Sequence, residues 1–173
     1  MKKNSSDFMS KAILLALLLM VLDLIGGFAH LRFETWFKWI PTLVLCAALI
    51  IFCINYGKQL NNEVTFGKVF GYAFKIALIV SILIFLYSLL SSYVIFPELK
   101  DQLLENARAD MQAKGGLTED QIDQGMAMTK KFLQPIPIAI FGFLGTLVFG
   151  TIGALLGAAF TKKSEASVFQ NNP

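Results

Sequence analysis

The sequence predicts an all-α polytopic membrane protein, with four transmembrane helices and an extramembrane helical hairpin between the third and the fourth. Three observations predict it. The chain of 173 residues is 55% hydrophobic and only 16% charged, against about 25% charged in an average soluble domain. Its charges are segregated. Residues 12–29, 39–56, 76–96 and 136–160 hold one aspartate and no other charge, whereas 97–134 hold 12 of the 27 charged residues. Each apolar block is also at least 18 residues long, close to what a hydrocarbon core of about 30 Å requires at ~1.5 Å per residue. Soluble folds interleave the two kinds of residue along the chain, so blockwise separation points to a bilayer.

The first span is read at about 12–29, after a polar, basic start (MKKNSSDFMSK). Gly27, Phe28 and Ala29 offer small residues near a possible signal-peptidase cut, but the length of the run and Asp23 within it favour an uncleaved helix. A polar link, His30 to Lys38, leads to the second span at about 39–56. Trp36 and Trp39 beside an apolar run suit an interfacial aromatic belt. Pro41 is placed in the first turn, where a missing N–H costs little. Gly57 to Glu63 read as a turn. Thr65 is a candidate N-cap for the third span, read at about 70–96. Lys68 and Lys75 on one face of its start snorkel to headgroups.

Pro97 breaks the third span. From there Leu99, Leu103, Ala107 and Met111 recur at fourfold spacing with Leu104 alongside, one apolar stripe on a polar helix. Gly115-Gly116 ends that helix, and Thr118 to Gln121 form a capping box for a second one. The face of that second helix is marked by Ile122, Met126, Thr129 and Leu133. The insert 97–134 is thus a helical hairpin outside the hydrocarbon. It is too short to bury a core alone, so its stripes must meet each other, the bilayer surface or a partner. Met111, Met126 and Met128 are adaptable contacts, for packing between the arms or for docking. Pro135 and Pro137 restart the chain into the fourth span, about 136–160. Gly142, Gly145, Thr146, Gly150, Gly153 and Gly157 fall on one arc of it, and the small-xxx-small pair Gly153/Gly157 predicts close helix packing. Lys162-Lys163 closes the span before a short tail, 161–173.

Several functions are excluded or disfavoured by what the chain lacks. The net charge of +3 comes from lysines at segment ends, not from the clustered basic face that nucleic-acid binding needs. Cys46 and Cys53 would lie about 10 Å apart on one helix face, too far for a disulfide, and are read as packed free thiols. His30, Arg32 and Glu34 alternate in a short loop, but two candidate ligands do not make a metal site. The single histidine and the absence of an intramembrane acid pair or an activated nucleophile argue against an enzyme. No cofactor is expected. Asp23, the one acid well inside an apolar run, is costly in a bilayer unless paired or functional. Arg32 and His30 are its candidate partners.

Two classes of function remain. The first is a non-enzymatic accessory or structural membrane component, acting through its hairpin and glycine face on the lipid bilayer, on a membrane protein partner or on its own copies. The second is a small oligomeric transporter or channel subunit, lined by Asp23, Ser81, Ser88, Ser91 and Ser92. Counting lysines and arginines near the span ends gives eight on the side of the termini and seven on the other, five of them in the hairpin. The short segments favour both termini in the cytoplasm.

At this point the segments VTFGKVFGYAFKIALIVS, LTEDQIDQGMAM and GTLVFGTIGALLGAAFTKK, with the Phe96-Pro97 step, are similar to an uncharacterised membrane family, domain of unknown function 4199, found mostly in Bacteroidetes. The resemblance runs from about Lys11 to Lys163. It implies a four-span bacterial inner-membrane protein with an insert before the last span, and it carries over no activity and no functional residue.

Overall fold

The computed structural model describes residues 3–61, 63–113, 115–116 and 118–161, with side chains from Asp7 onward. The lysines at 2, 114, 162 and 163, the side chain of Lys3, Asn62, Leu117 and the tail beyond Thr161 lie outside the described residues. Among the described residues six α-helices follow one another: α1 (Lys3–Phe28), α2 (Thr35–Gln59), α3 (Phe66–Leu90), α4 (Leu99–Ala113), α5 (Glu119–Phe132) and α6 (Pro135–Phe160). No strand occurs among the described residues. Two compact units result. One holds α1, α2, α3 up to Leu83 and α6 from Gly145; the other is Ile84–Leu144.

In the first unit the buried positions follow helical stripes. They are Ala12, Leu15, Ala16 and Leu19 on α1, Leu45, Leu49 and Cys53 on α2, and Val69, Tyr72, Ala73, Ile76, Ala77 and Val80 on α3. This i, i+3, i+4, i+7 recurrence puts one face of each helix inward. The opposite faces are just as apolar. Ile13, Leu14, Leu17, Leu18, Val21 and Ile25 of α1 are exposed, as are Leu43 and Ile51 of α2. Helices apolar all round are stable only where lipid replaces water on the outside.

The helices run past the apolar blocks because hydropathy reports lipid contact, not backbone conformation. α2 begins at Thr35 and not at Trp39, so Pro41 sits inside the helix and not in its first turn. Position 41 therefore returns no N–H bond to the Phe37 carbonyl. At the other end α2 continues through Gly57 to Gln59, and the turn starts at Leu60, with Asn61 at φ 52°. The link after α1 is correspondingly short. His30 takes φ 56°, its N–H donates to the Gly27 carbonyl at 3.3 Å, and that of Leu31 donates to the Gly26 carbonyl at 2.9 Å. This is a Schellman closure with histidine in the position glycine usually fills. Gly26 lies close against the Phe37 ring, which would have to shift to admit a Cβ there.

Thr65 opens α3: its hydroxyl accepts from the Lys68 N–H at 3.4 Å. In the second unit the end of this span is not a simple stop at proline. Ser91–Ile95 form a π-helical turn, closed by the Phe96 N–H donating to the Ser91 carbonyl at 2.7 Å. α4 and α5 pair as a hairpin around Gly115 and Gly116, at φ 65° and 80°, a conformation open to glycine at little cost. The capping box is formed on both sides. The Thr118 hydroxyl accepts from the Gln121 N–H at 3.4 Å, and the Gln121 side chain accepts from the Thr118 N–H at 2.9 Å. Between the arms, Met111 lies against Gly125, where a Cβ would stand 3.4 Å from its sulfur. Arg108 donates to Asp123 at 3.1 Å and lies 3.6 Å from Glu119. Ile122 is buried and Met126 half-buried, while Met128 points out.

Candidate functional site

Three features of the molecule carry polar or close-contact chemistry. The first lies where the start of α1, the end of α2 and the start of α3 meet. Asp7 and Lys11 are one helical turn apart, so their side chains meet on one face, with Lys11 Nζ 2.7 Å from Asp7 Oδ2. Tyr72 of α3 closes the set: Lys11 Nζ donates to its hydroxyl at 2.8 Å, and that hydroxyl donates to Asp7 Oδ2 at 2.9 Å. The ammonium also stands 5.8 Å from the Phe52 ring centroid and 5.4 Å from that of Tyr72. Tyr56 stacks on Tyr72 at 4.0 Å, with the rings 6° apart. A charge pair held this way, with hydrogen bonds and two aromatic faces around the cation, resists the desolvation that disfavours a lone buried ion. Its partners satisfy one another, so the cluster ties three helices together.

The second feature is Asp23. Arg32, from the link after α1, reaches back to it with an Nη2–Oδ2 distance of 2.8 Å, and to its backbone carbonyl at 3.4 Å. Pairing with a guanidinium from the loop lets the acid remain in an apolar run without isolating a charge. His30 and Glu34 of the same loop are exposed. Among the described residues no three His, Cys, Asp or Glu side chains gather as a metal set.

The third is the glycine arc of α6. A Cβ at Gly150 would stand 2.8 Å from that of Ala77; at Gly153, 3.1 Å from the Cys46 backbone; at Gly157, 2.6 Å from Cys53 Sγ and 3.0 Å from the Ile50 Cα. These three glycines therefore sit in close contact with α2 and α3. Gly142 and Gly145 differ, since a Cβ at either meets nothing within 4 Å. Cys46 and Cys53 are free thiols whose sulfurs approach the carbonyls of Phe149 and Ala154 at 3.5 and 4.0 Å.

Ser81 is fully buried and donates to the Ala77 carbonyl of its own helix at 2.8 Å. Ser88, Ser91 and Ser92 belong to the other unit. The tyrosine-centred cluster is what sequence reasoning missed. Its local half, the i, i+4 pair Asp7/Lys11, is visible as a charge pattern, but Tyr72 lies 61 residues from Lys11 and no periodicity links them.

Among the described residues four helices are long and apolar enough to cross a membrane: Asp7–Phe28, Thr35–Gln59, Phe66–Ile95 and Pro135–Phe160. With no strand described and apolar outer faces, they define an all-α multi-pass membrane protein. The chain belongs to the family described as "Protein of unknown function (DUF4199)", whose profile matches residues 10–163. No curated protein and no solved structure matches it.

Proposed function

We propose that this protein is a non-enzymatic accessory or structural component of a bacterial inner membrane, with both termini in the cytoplasm and the hairpin on the far side. The observation that carries the reading is the contrast between its polar groups and its hairpin. Asp7, Lys11 and Tyr72 are engaged with one another and Asp23 with Arg32, which favours a structural role for these groups over a catalytic one. The hairpin is a preformed polar element, joined across its arms by Arg108 and Met111 and fixed at its turn by a capping box. Rigid extramembrane elements of this kind suit recognition of another protein.

The open face at Gly142 and Gly145 supports a second contact, with a copy of this chain or with a membrane protein partner, because small residues let helices approach closely. Lys11, Lys68 and Lys75 lie towards the end of the first unit at which α1 and α3 start, as the Lys11–Tyr72 bond requires. That clustering supports a cytoplasmic location for this end. The transporter reading gains nothing from an Asp23 held by Arg32.

The test is affinity purification in mild detergent of the full chain and of a variant with residues 99–132 replaced by a Gly/Ser linker. A stoichiometric partner that is retained by the full chain and lost from the variant is the expected result. A chain that purifies alone, or a partner retained equally by both, would overturn the reading.

A further inference from the structure

The last turn of α5 and the first turns of α6 present an apolar surface: Met128 and Phe132 are 66% and 56% exposed, and Ile136 and Phe141 are exposed beside them. The Phe132 ring packs on that of Phe141, centroids 6.3 Å apart. Phe141 is six residues into α6, about 9 Å along its axis. The end of α5 therefore lies alongside the start of the fourth candidate span and does not stand away from it. Lys130 and Lys131 are within two residues of Phe132, about 3 Å of axial rise. Both are exposed. Among the described residues neither has an ion-pair partner. The acids of α5 (Glu119, Asp120 and Asp123) sit at its other end, where Arg108 engages two of them. Glu98, Lys100 and Asp101 are the charges that the start of α4 brings to the base of the hairpin.

We propose that this surface is an interfacial lipid anchor, in which Met128 and Phe132 enter the boundary of the acyl chains while Lys130 and Lys131 engage the phosphates of anionic headgroups. Continuity with α6 selects lipid over a protein partner, because the ring contact with Phe141 brings Phe132 to the level at which the fourth helix meets the bilayer. Charge selects the headgroup: two cations without ion-pair partners lie at the depth of exposed apolar side chains, and lysine stems are long enough to keep the ammonium among phosphates while the methylenes cover apolar surface. The tip of the hairpin, a 15-residue helix away and so about 22 Å distant, takes no part. The anchor does not depend on the accessory role proposed above.

The test uses the full chain reconstituted in vesicles, in a Trp36→Phe/Trp39→Phe background because these are the only two tryptophans. An indole is introduced by Phe132→Trp, separately by Met128→Trp, and near the tip by Gln112→Trp, each variant being checked for unchanged helical circular dichroism. Emission from positions 128 and 132 is expected to be blue-shifted and quenched by chain-brominated phosphatidylcholine, and that from position 112 to show neither effect. Brominated phosphatidylglycerol at equal mole fraction should be enriched around position 132 by about fivefold per lysine, an enrichment lost in Lys130→Gln/Lys131→Gln. Water-like emission at 128 and 132 would overturn the anchor. So would blue-shifted emission that brominated lipid fails to quench, since another protein surface would then cover the patch. Equal quenching by the two lipids would overturn the headgroup assignment.

Discussion

The two halves of α6 are alike in composition and opposite in surroundings. From Gly150 onward each glycine lies against a neighbouring helix at a distance that leaves no room for a side chain: Ala77 at Gly150, Cys46 at Gly153, Cys53 and Ile50 at Gly157. Gly142 and Gly145, one to two turns earlier, have open space where a Cβ would stand. A glycine permits close approach; a small residue at the same level of another helix is what uses it. Ala77, Cys46 and Cys53 are those residues, and nothing in the glycine pattern alone points to them.

Substitution separates the halves. Gly157→Leu is expected to have the largest effect, a loss of about 3 kcal/mol through overpacking, because the Ile50 backbone at 3.0 Å cannot swing aside as a side chain would. Gly142→Leu should change stability by no more than about 0.5 kcal/mol in the monomer. Thermal unfolding midpoints in detergent distinguish them, and equal losses would break the comparison. If Gly142→Leu instead dissolves an oligomer while leaving the monomer stable, the open half is shown to pack between copies.

The two charged features sharpen the same point, that a polar group's worth depends on what encloses it. Tyr72→Phe removes the hydroxyl that both Lys11 and Asp7 use, and a hydrogen bond to charged groups among aromatic rings is expected to contribute about 2 kcal/mol. An unaltered unfolding curve for that variant would mean the three-helix tie contributes nothing. Asp23→Asn should cost less, about 1 kcal/mol or below, because the carboxylate is partly exposed and its partner comes from a loop. The midpoint of Asp23→Asn should move less than that of Tyr72→Phe, and the reverse order would invert the ranking by enclosure.

Much of the fold was legible in the amino-acid sequence, and for physical reasons. Lipid imposes long uncharged runs, so the four spans stand out. The capping box at Thr118 and the glycine turn at Gly115-Gly116 are local patterns whose geometry follows from a few adjacent residues. Pro41 was misplaced because a helix can begin in polar sequence before lipid does. The left-handed His30 and the π turn at Ser91–Ile95 occur at residues that carry no strong local signal for either. The cluster around Tyr72 and the filled half of α6 depend on residues far apart in the chain, and those contacts exist only once the helices are assembled.

Whether four helices cross the bilayer in alternation is measured most directly by labelling single cysteines placed at Phe33, Glu63 and Gly115 in a Cys46→Ala/Cys53→Ala background, using a membrane-impermeant maleimide on intact and on opened cells. The expected result is that positions 33 and 115 label from one face and position 63 only from the other. Labelling of all three from the same face, or release of the chain into the aqueous fraction on alkaline extraction, would contradict it.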